Sequence, residues 1–331
     1  MTDIYILAIE SSCDETSVSI IKNGNEDIAT SINTQIDIHK EYGGVVPEIA
    51  SREHLKNIIF VLDSCLKKSG LSMDDISAIA VTYGPGLIGS LMVGVETAKT
   101  LSFIYNKPLI AVNHMIGHIY SNNINSNISL PSLILTISGG HTDLIMMNGP
   151  LDFTLISSTL DDALGECYDK VARLIGLEYP GGPKLDKLSK TGEDTYVLPL
   201  PLNDGSLNFS FSGLKSHIMN LVKREEINPA NLAKSFQRTI EEILYIKLNK
   251  ALDLYPVKSL LICGGVSANE GIRNMAERLA KERGIKVSFP EKKYSTDNAA
   301  MIGSAAYYYY LNQDFSDLSL YPKSSLELNN K

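Results

Sequence analysis

IYILAIESSCDETSVSIIK, Ile4–Lys22, and SLILTISGGHTDLIMM, Ser132–Met147, open the two halves of the chain in the same way. In the first stretch, Ile4 to Ile9 is a β-branched apolar run. Ser11 to Thr16 is a polar and acidic turn, and Ser17 to Lys22 returns as a strand carrying Val18, Ile20 and Ile21. In the second, Ser132 to Ile137 is an apolar strand, Ser138 to Thr142 is a tight turn, and Asp143 to Met147 returns. Two openings of this kind predict a duplicated architecture. Working outward, a third strand is expected near Asp27 to Asn33. A helix follows over Glu53 to Lys68, with Leu55, Ile58, Ile59, Leu62 and Leu66 on one face. Ile76 to Thr82 reads as a buried strand that ends in Gly84-Pro85-Gly86. A small-residue helix follows from Ile88 to about Tyr105, then a strand over Leu109 to Asn113. Later, Leu160 to Leu177 reads as a helix, broken by Pro180-Gly181-Gly182-Pro183. Asn231 to Tyr255 is a long amphipathic helix with Leu232, Phe236, Ile240 and Ile243 on one stripe. Ser259 to Cys263 is a buried strand leading through Gly264-Gly265 into a helix from Asn269 to Arg283. The alternation of β and α indicates an α/β fold. The tail from about Gln313 is polar, and Tyr307 to Tyr310 is read as a packed helix end.

The 331 residues are 44% hydrophobic and 21% charged, which excludes a disordered chain, a collagen and a coiled-coil rod. The length suits two domains. The net charge of −8 and a pI of about 5.3 exclude a bulk nucleic-acid binder, leaving room for a local basic patch or a partner that holds nucleic acid. Cys13, Cys65, Cys167 and Cys263 form no C-x-x-C pair, which argues against a zinc knuckle and for free thiols in a reducing compartment. The first residues have no basic region ahead of their apolar run. Ile76 to Val95 is uncharged and long enough to span a membrane, but Tyr83-Gly84-Pro85-Gly86 breaks it. The expectation is a cytoplasmic protein with no membrane association.

Five clusters carry chemistry. His114 and His118, in HMIGH, lie at i and i+4, where both imidazoles on one helix face can reach one metal ion. The same pair also reads as two ordinary helix histidines. No Asp, Glu, Lys or Arg lies between Lys107 and Asp143, so the pair stands in a neutral stretch. A zinc protease of the H-E-x-x-H type is discounted, because Met115 stands where the general base should be. Second, the turn around Gly139 and Gly140 lets backbone approach an anion, to which His141 can donate. The opening turn sets Asp14 and Glu15 in the same architecture, where acids serve a divalent cation or act as a general base. Third, Cys263 to Asn269, CGGVSAN, is a strand, Gly-Gly, helix arrangement that suits a nucleotide. It matches neither G-x-G-x-x-G nor a P-loop. Fourth, Asp162, Glu166 and Asp169 share a helix face, with Asp186 following the Pro-Gly-Gly-Pro break. Fifth, Asp297 precedes a small-residue helix and reads as its cap.

Taken in order, SSCDET, GPGLIGSLMVG, NHMIGH, ISGGHT, GECYDKVARLIGLEYPGGP, NFSFSGLKS, CGGVSAN and STDNAAMIG resemble the bacterial TsaD family, also called Gcp or YgjD, from about Ile4 to about Tyr310. The resemblance implies the α/β fold of actin, Hsp70 and sugar kinases (the ASKHA fold), two duplicated lobes with a nucleotide cleft. The expected lobes are 1–112, with 305–331 packing back on it, and 113–304, bearing the metal and nucleotide site. It implies transfer of a threonylcarbamoyl group from threonylcarbamoyl-adenylate to N6 of adenosine 37 in tRNAs that read codons beginning with A. It places metal ligands on His114, His118 and Asp297, with Fe2+ favoured over Zn2+. Substrate contacts fall on Thr136, Ile137, Ser138, Gly139, Gly140, Asp169, Gly182, Asp186 and Asn269, and activity needs Asp14 and Glu15, one of which would take the N6 proton. ATP or ADP is a further occupant of the cleft. Implied partners are the tRNA anticodon stem-loop, a TsaB-like paralogous subunit and a TsaE-like P-loop ATPase, with a homodimer as another assembly. Lys184 to Lys190 and Lys215 are candidates for the tRNA patch. The chain departs from the family at Asn113, Ile116 and Ala299, none of them a ligand position. A small-metabolite kinase of the same fold and a non-catalytic scaffold are the rival readings, and neither needs a metal triad.

Overall fold

The computed structural model describes residues 3–328. The chain forms two compact units: residues up to Ile128 together with those from Pro290 on, and Ser129–Phe289.

The first unit begins with three antiparallel strands, β1 (Tyr5–Glu10), β2 (Glu15–Lys22) and β3 (Glu26–Thr34). Helices α1 (Ile36–Lys40) and α2 (Pro47–Ser69) lead to β4 (Ala78–Gly84), which lies parallel to β1. Helix α3 (Ile88–Tyr105) then leads to β5 (Leu109–Asn113), parallel to β4, and β5 runs straight into α4 (His114–Tyr120). The sheet order is β3-β2-β1-β4-β5.

The second unit holds β6 (Ser132–Ile137), β7 (Thr142–Gly149) and β8 (Asp152–Ser158), again antiparallel. Helices α5 (Leu164–Leu174), α6 (Gly181–Ser189), α7 (Ser212–Arg224) and α8 (Pro229–Leu254) follow. Then come β9 (Ser259–Cys263), parallel to β6, α9 (Glu270–Arg283), and β10 (Lys286–Ser288), parallel to β9. The order β8-β7-β6-β9-β10 repeats the first sheet strand for strand, with the same pattern of parallel and antiparallel pairs. The duplication that the two opening stretches suggest is therefore present as topology. Apolar side chains of β6, β9, α5, α8 and α9 fill the core of this unit.

Helix α10 (Ala299–Leu311) returns to the first unit and packs on β1, β2 and α4. The residues after it stay there. Ser316 N donates to Leu109 O at 2.8 Å and Lys323 N to Tyr83 O at 2.7 Å, while Leu320 and Leu326 pack on the core. The Tyr run ends a packed helix, with Tyr308 against Tyr120 at 4.8 Å between ring centroids.

Four expectations need correction. The boundaries fall after Ile128 and Phe289, not after residues 112 and 304, because no linker separates β5 from α4 and α4 packs on α10. His114, His118 and Asp297 thus belong to the first unit, apart from the proposed nucleotide-contact residues. Helix α2 starts at Pro47, and its buried stripe is Ala50, His54, Ile58, Val61, Leu62 and Cys65, whereas Leu55 and Ile59 are 70% and 60% exposed. His54 sits inside because both ring nitrogens are hydrogen-bonded, which turns the helix away from its most apolar stripe. Glu15 belongs to β2 rather than to the turn before it. Helix α5 starts at Leu164, so Asp162 precedes it and does not share its face with Glu166 and Asp169. The residue before it, Asp161, is instead drawn to the start of α7, where it accepts from the amides of Phe211 and Ser212.

Candidate metal centre and anion-binding turns

In the first unit, the histidine pair and Asp297 meet. His114 and His118 stand one turn apart on α4, their ring centroids 4.6 Å apart. Gly117 between them lets α4 approach α10: a Cβ there would meet Ile302 Cδ1 at 2.6 Å. The close approach brings Asp297, just ahead of α10, to the pair. Its Oδ1 is 3.5 Å from His114 Nε2 and 3.2 Å from His118 Nε2. Asp297 is not the cap that a sequence reading also allowed. Asn298 caps α10, accepting from Met301 N at 3.0 Å, which leaves the Asp297 carboxylate to the histidines.

One ligand atom from each of the three residues lies within 4.8 Å of the others. Two imidazole nitrogens and a carboxylate oxygen form a donor set suited to a divalent transition metal. His118 is buried, while His114 and Asp297 keep 12% and 22% of their side-chain surface, so the group opens on one side. The three residues fit a metal ion with positions left over for an exogenous ligand. Burial alone would push the His114 imidazole down, but the carboxylates of Asp297 and Glu10 outweigh it and hold it up to about 9. Burial would likewise raise Asp297, yet the two histidines hold it down to about 2.

Glu10, at the end of β1, carries no sequence signal of a role. It is wholly buried and lies 3.1 Å from His114 Nδ1. His54 was also missed. Its Nε2 donates to the carbonyl of Cys13 at 2.9 Å, and its Nδ1 accepts from the Thr16 hydroxyl at 2.7 Å. These bonds tie the turn that carries Asp14 to the first residues of β2, where Glu15 stands. Asp14 is buried in that turn. Burial, then Asp14 and Asp297, raise the Glu15 carboxyl well above the usual carboxylate range. Burial, aided by Asp14 and Asp297, also pushes the Cys13 thiol up, so it stays protonated.

In the second unit, the ISGGH turn closes on itself. Ser138 N donates to His141 O at 2.9 Å, and His141 N to Ser138 Oγ at 3.1 Å. Gly139 and Gly140 are exposed, with open space where their Cβ atoms would be. Thr136 and Ile137 point into the interior: Thr136 Oγ1 is 3.3 Å from Cys263 Sγ, and Ile137 belongs to the core. Neither side chain is presented to a ligand. Asp169 Oδ1 accepts from Gly181 N at 2.8 Å and Gly182 N at 3.1 Å, so it caps α6 from a neighbouring helix. Asn269 caps α9 through Ile272 N and exchanges hydrogen bonds with Gln237, which also receives the Tyr168 hydroxyl. Asp186 lines a cavity of about 250 Å³ with Lys190, Gln237, Glu241, Glu270 and Gly271. A Cβ on Gly271 would meet Glu241 Oε1 at 2.1 Å and Gln237 Nε2 at 2.5 Å.

The acids around α5 are already engaged, since Lys170 pairs with Glu166 and both Lys170 and Lys215 reach Asp162. Three lysines of the proposed basic patch are engaged in the same way. Lys184 pairs with Glu178, Lys190 with Glu270 and Asp186, and Lys215 with Asp162.

Comparison with known proteins bears on what this arrangement does. The family profile described as TsaD, tRNA N6-adenosine threonylcarbamoyltransferase, matches residues 27–304. The chain is 49% identical over 332 residues to the tRNA N6-adenosine threonylcarbamoyltransferase of Staphylococcus carnosus, covering 98% of this chain and 97% of that one. Among solved structures, T. kodakarensis HypF is similar at a TM-score of 0.64 and 14% identity, over 96% of this chain and 49% of that one. Component A of the (R)-2-hydroxyglutaryl-CoA dehydratase of Acidaminococcus fermentans is similar at a TM-score of 0.56 and 15% identity, over 92% and 98%. These two likenesses are of fold, the actin-like α/β architecture with its repeated sheets.

Proposed function

This chain belongs to the family of tRNA N6-adenosine threonylcarbamoyltransferases, and we propose how its residues serve that reaction. The enzyme transfers a threonylcarbamoyl group to N6 of an adenosine in tRNA, the t6A modification at position 37. The donor is threonylcarbamoyl-adenylate, and the acceptors are tRNAs that read codons beginning with A. The observation that carries this reading is the convergence of His114, His118 and Asp297 in the unit that also holds Asp14 and Glu15.

The donor is a mixed anhydride with a good leaving group, and adenine N6 is a poor nucleophile because its lone pair is conjugated into the ring. Catalysis therefore lies in placing the amine, polarising the carbonyl and removing a proton. A divalent ion bound by His114, His118 and Asp297, Fe2+ in preference to Zn2+, supplies Lewis-acid polarisation. Asp14 accepts the N6 proton, with the raised carboxyl of Glu15 beside it. In the second unit, the exposed backbone at Gly139 and Gly140 receives the phosphate, with His141 at the same turn. Asp186, in the cavity beside α9, receives the adenosine end, and ADP or ATP competes for it. Asp169, Gly182 and Asn269 shape that end by fixing the starts of α6 and α9.

The tRNA anticodon stem-loop is bound with help from other subunits, a TsaB-like paralogue and a TsaE-like P-loop ATPase, with a homodimer as the assembly without them. Two features support shared binding: the net charge of −8, and the carboxylate partners already held by Lys184, Lys190 and Lys215. The proposed location is the cytoplasm, which free thiols support. Among the described residues no helix is long and apolar enough to cross a membrane, and all four cysteines are free thiols.

The test is depletion of the protein in its host, with threonylcarbamoyladenosine in total tRNA quantified by mass spectrometry. The nucleoside should disappear and be restored by the wild-type chain but not by His114→Ala. An unchanged level after depletion would refute the reading.

A further inference from the structure

We propose that Glu10 is a positioning residue for the metal centre: its buried carboxylate accepts a hydrogen bond from His114 Nδ1–H, which keeps the proton on Nδ1 and leaves Nε2 as the nitrogen that would donate to an ion. The inference rests on the metal reading of His114, His118 and Asp297 and extends it to a residue outside the three. Glu10 ends β1 with none of its surface exposed. A carboxylate in such a place needs donors on its oxygens. Three converge on it. The Ser12 amide donates to Oε1 at 2.5 Å, the Thr82 hydroxyl donates to Oε2 at 2.5 Å, and His114 Nδ1 lies 3.1 Å from Oε2.

The carboxylate decides the tautomer, because a bare Nδ1 would set its lone pair against a carboxylate oxygen. Ser12 Oγ is also 3.1 Å from Nδ1, but a hydroxyl either donates or accepts and so follows the tautomer that Glu10 imposes. With the proton on Nδ1, the free nitrogen is Nε2, the one that faces Asp297. His118 offers the contrast. Its Nδ1 is buried and has no hydrogen-bond partner among the described residues. Of the two histidines, His114 is the one whose ring is oriented from behind. An outer partner of this kind commonly tightens metal binding by about 10–100-fold.

The experiment uses full-length protein stripped of metal and measures Zn2+ affinity by competition with a chromogenic chelator. Glu10→Ala should bind Zn2+ about 10–100-fold more weakly than wild type. In the zinc-loaded wild type, ring 15N signals should show His114 protonated at Nδ1. Wild-type affinity in a folded Glu10→Ala, while His118→Ala loses binding, overturns the role of Glu10 and leaves the metal centre standing. Unchanged affinity in His114→Ala and His118→Ala as well means that the metal reading itself has failed. Should Glu10→Ala not fold, the wild-type ring signals decide alone: a His114 protonated only at Nε2 overturns the proposal.

Discussion

Lowering the pH from about 9 to about 7 is expected to weaken divalent-metal binding by about 100-fold. The reason is the charge that the site holds when it is metal-free. Burial disfavours a charged His114, but Asp297 and Glu10 outweigh it and keep the imidazole protonated up to about 9. A ligating imidazole must give up the proton on its donor nitrogen. Each ion bound below that pH therefore displaces one proton, and the apparent affinity falls about tenfold per unit, or about 3 kcal/mol over two units. Chelator competition with Zn2+ across this range, corrected for protonation of the chelator, reads the slope. Calorimetry in buffers of different ionisation enthalpy counts the proton directly. A flat affinity, or no proton released at pH 7, would refute the reasoning. Stability of the metal-free protein runs the other way. The His114 contribution is complete below the ordinary imidazole value of 6.5 and is lost as pH rises through about 9. The Asp297 contribution is present above 3.8 and is lost as pH falls toward about 2. The rise in melting temperature on adding zinc should thus grow from pH 6.5 to pH 9.

Three further outcomes follow from the same geometry. Glu15→Gln should keep a single-turnover transfer rate within about tenfold of wild type, whereas Asp14→Asn should lose about 100-fold or more; the reverse ranking would make Glu15 the base. Gly271→Ala pushes its methyl into the ends of Glu241 and Gln237. Glu241 can turn away, but Gln237 gives up its bonds to Asn269 and Tyr168, so stability should fall by about 1–3 kcal/mol while ADP affinity falls in calorimetry. Unchanged ADP binding would separate the cavity from the nucleotide. Asn298→Ala removes the cap on Met301 N and the bonds to the carbonyls of Tyr294 and Thr296. It should cost about 1–2 kcal/mol in urea unfolding and weaken zinc binding too, because Asp297 is held by that backbone.

Much of the fold is legible because its signals are local. Helix α3 has the limits that Gly84-Pro85-Gly86 and the apolar run foretell, and β5, β6 and β9 fall on their apolar stretches. Helices α6 and α7 escape notice because their start signals come from elsewhere in the chain. Asp169 serves the first amides of α6, and Asp161 serves the start of α7. The face of α2 is misread because a hydrogen-bonded histidine is buried where apolarity points one residue round. At the metal centre, the i, i+4 spacing makes the histidines visible, and Asp297 stands out only through the family resemblance. Glu10 has no local signal at all. Its partners Thr82 and His114 are brought to it by the pairing of β1 with β4 and of β4 with β5.

The first unit is written in two pieces, with all of Ser129–Phe289 inserted between them. On the ribosome, the histidines are made early and their carboxylate partner arrives only after the whole insertion has been translated. A chain cut short between residues 118 and 297 carries the two histidines and no third ligand, and it also lacks α10, the helix against which α4 packs. Assembly of the three-residue group is thus tied to completed synthesis, and products terminated between the histidines and Asp297 lack it.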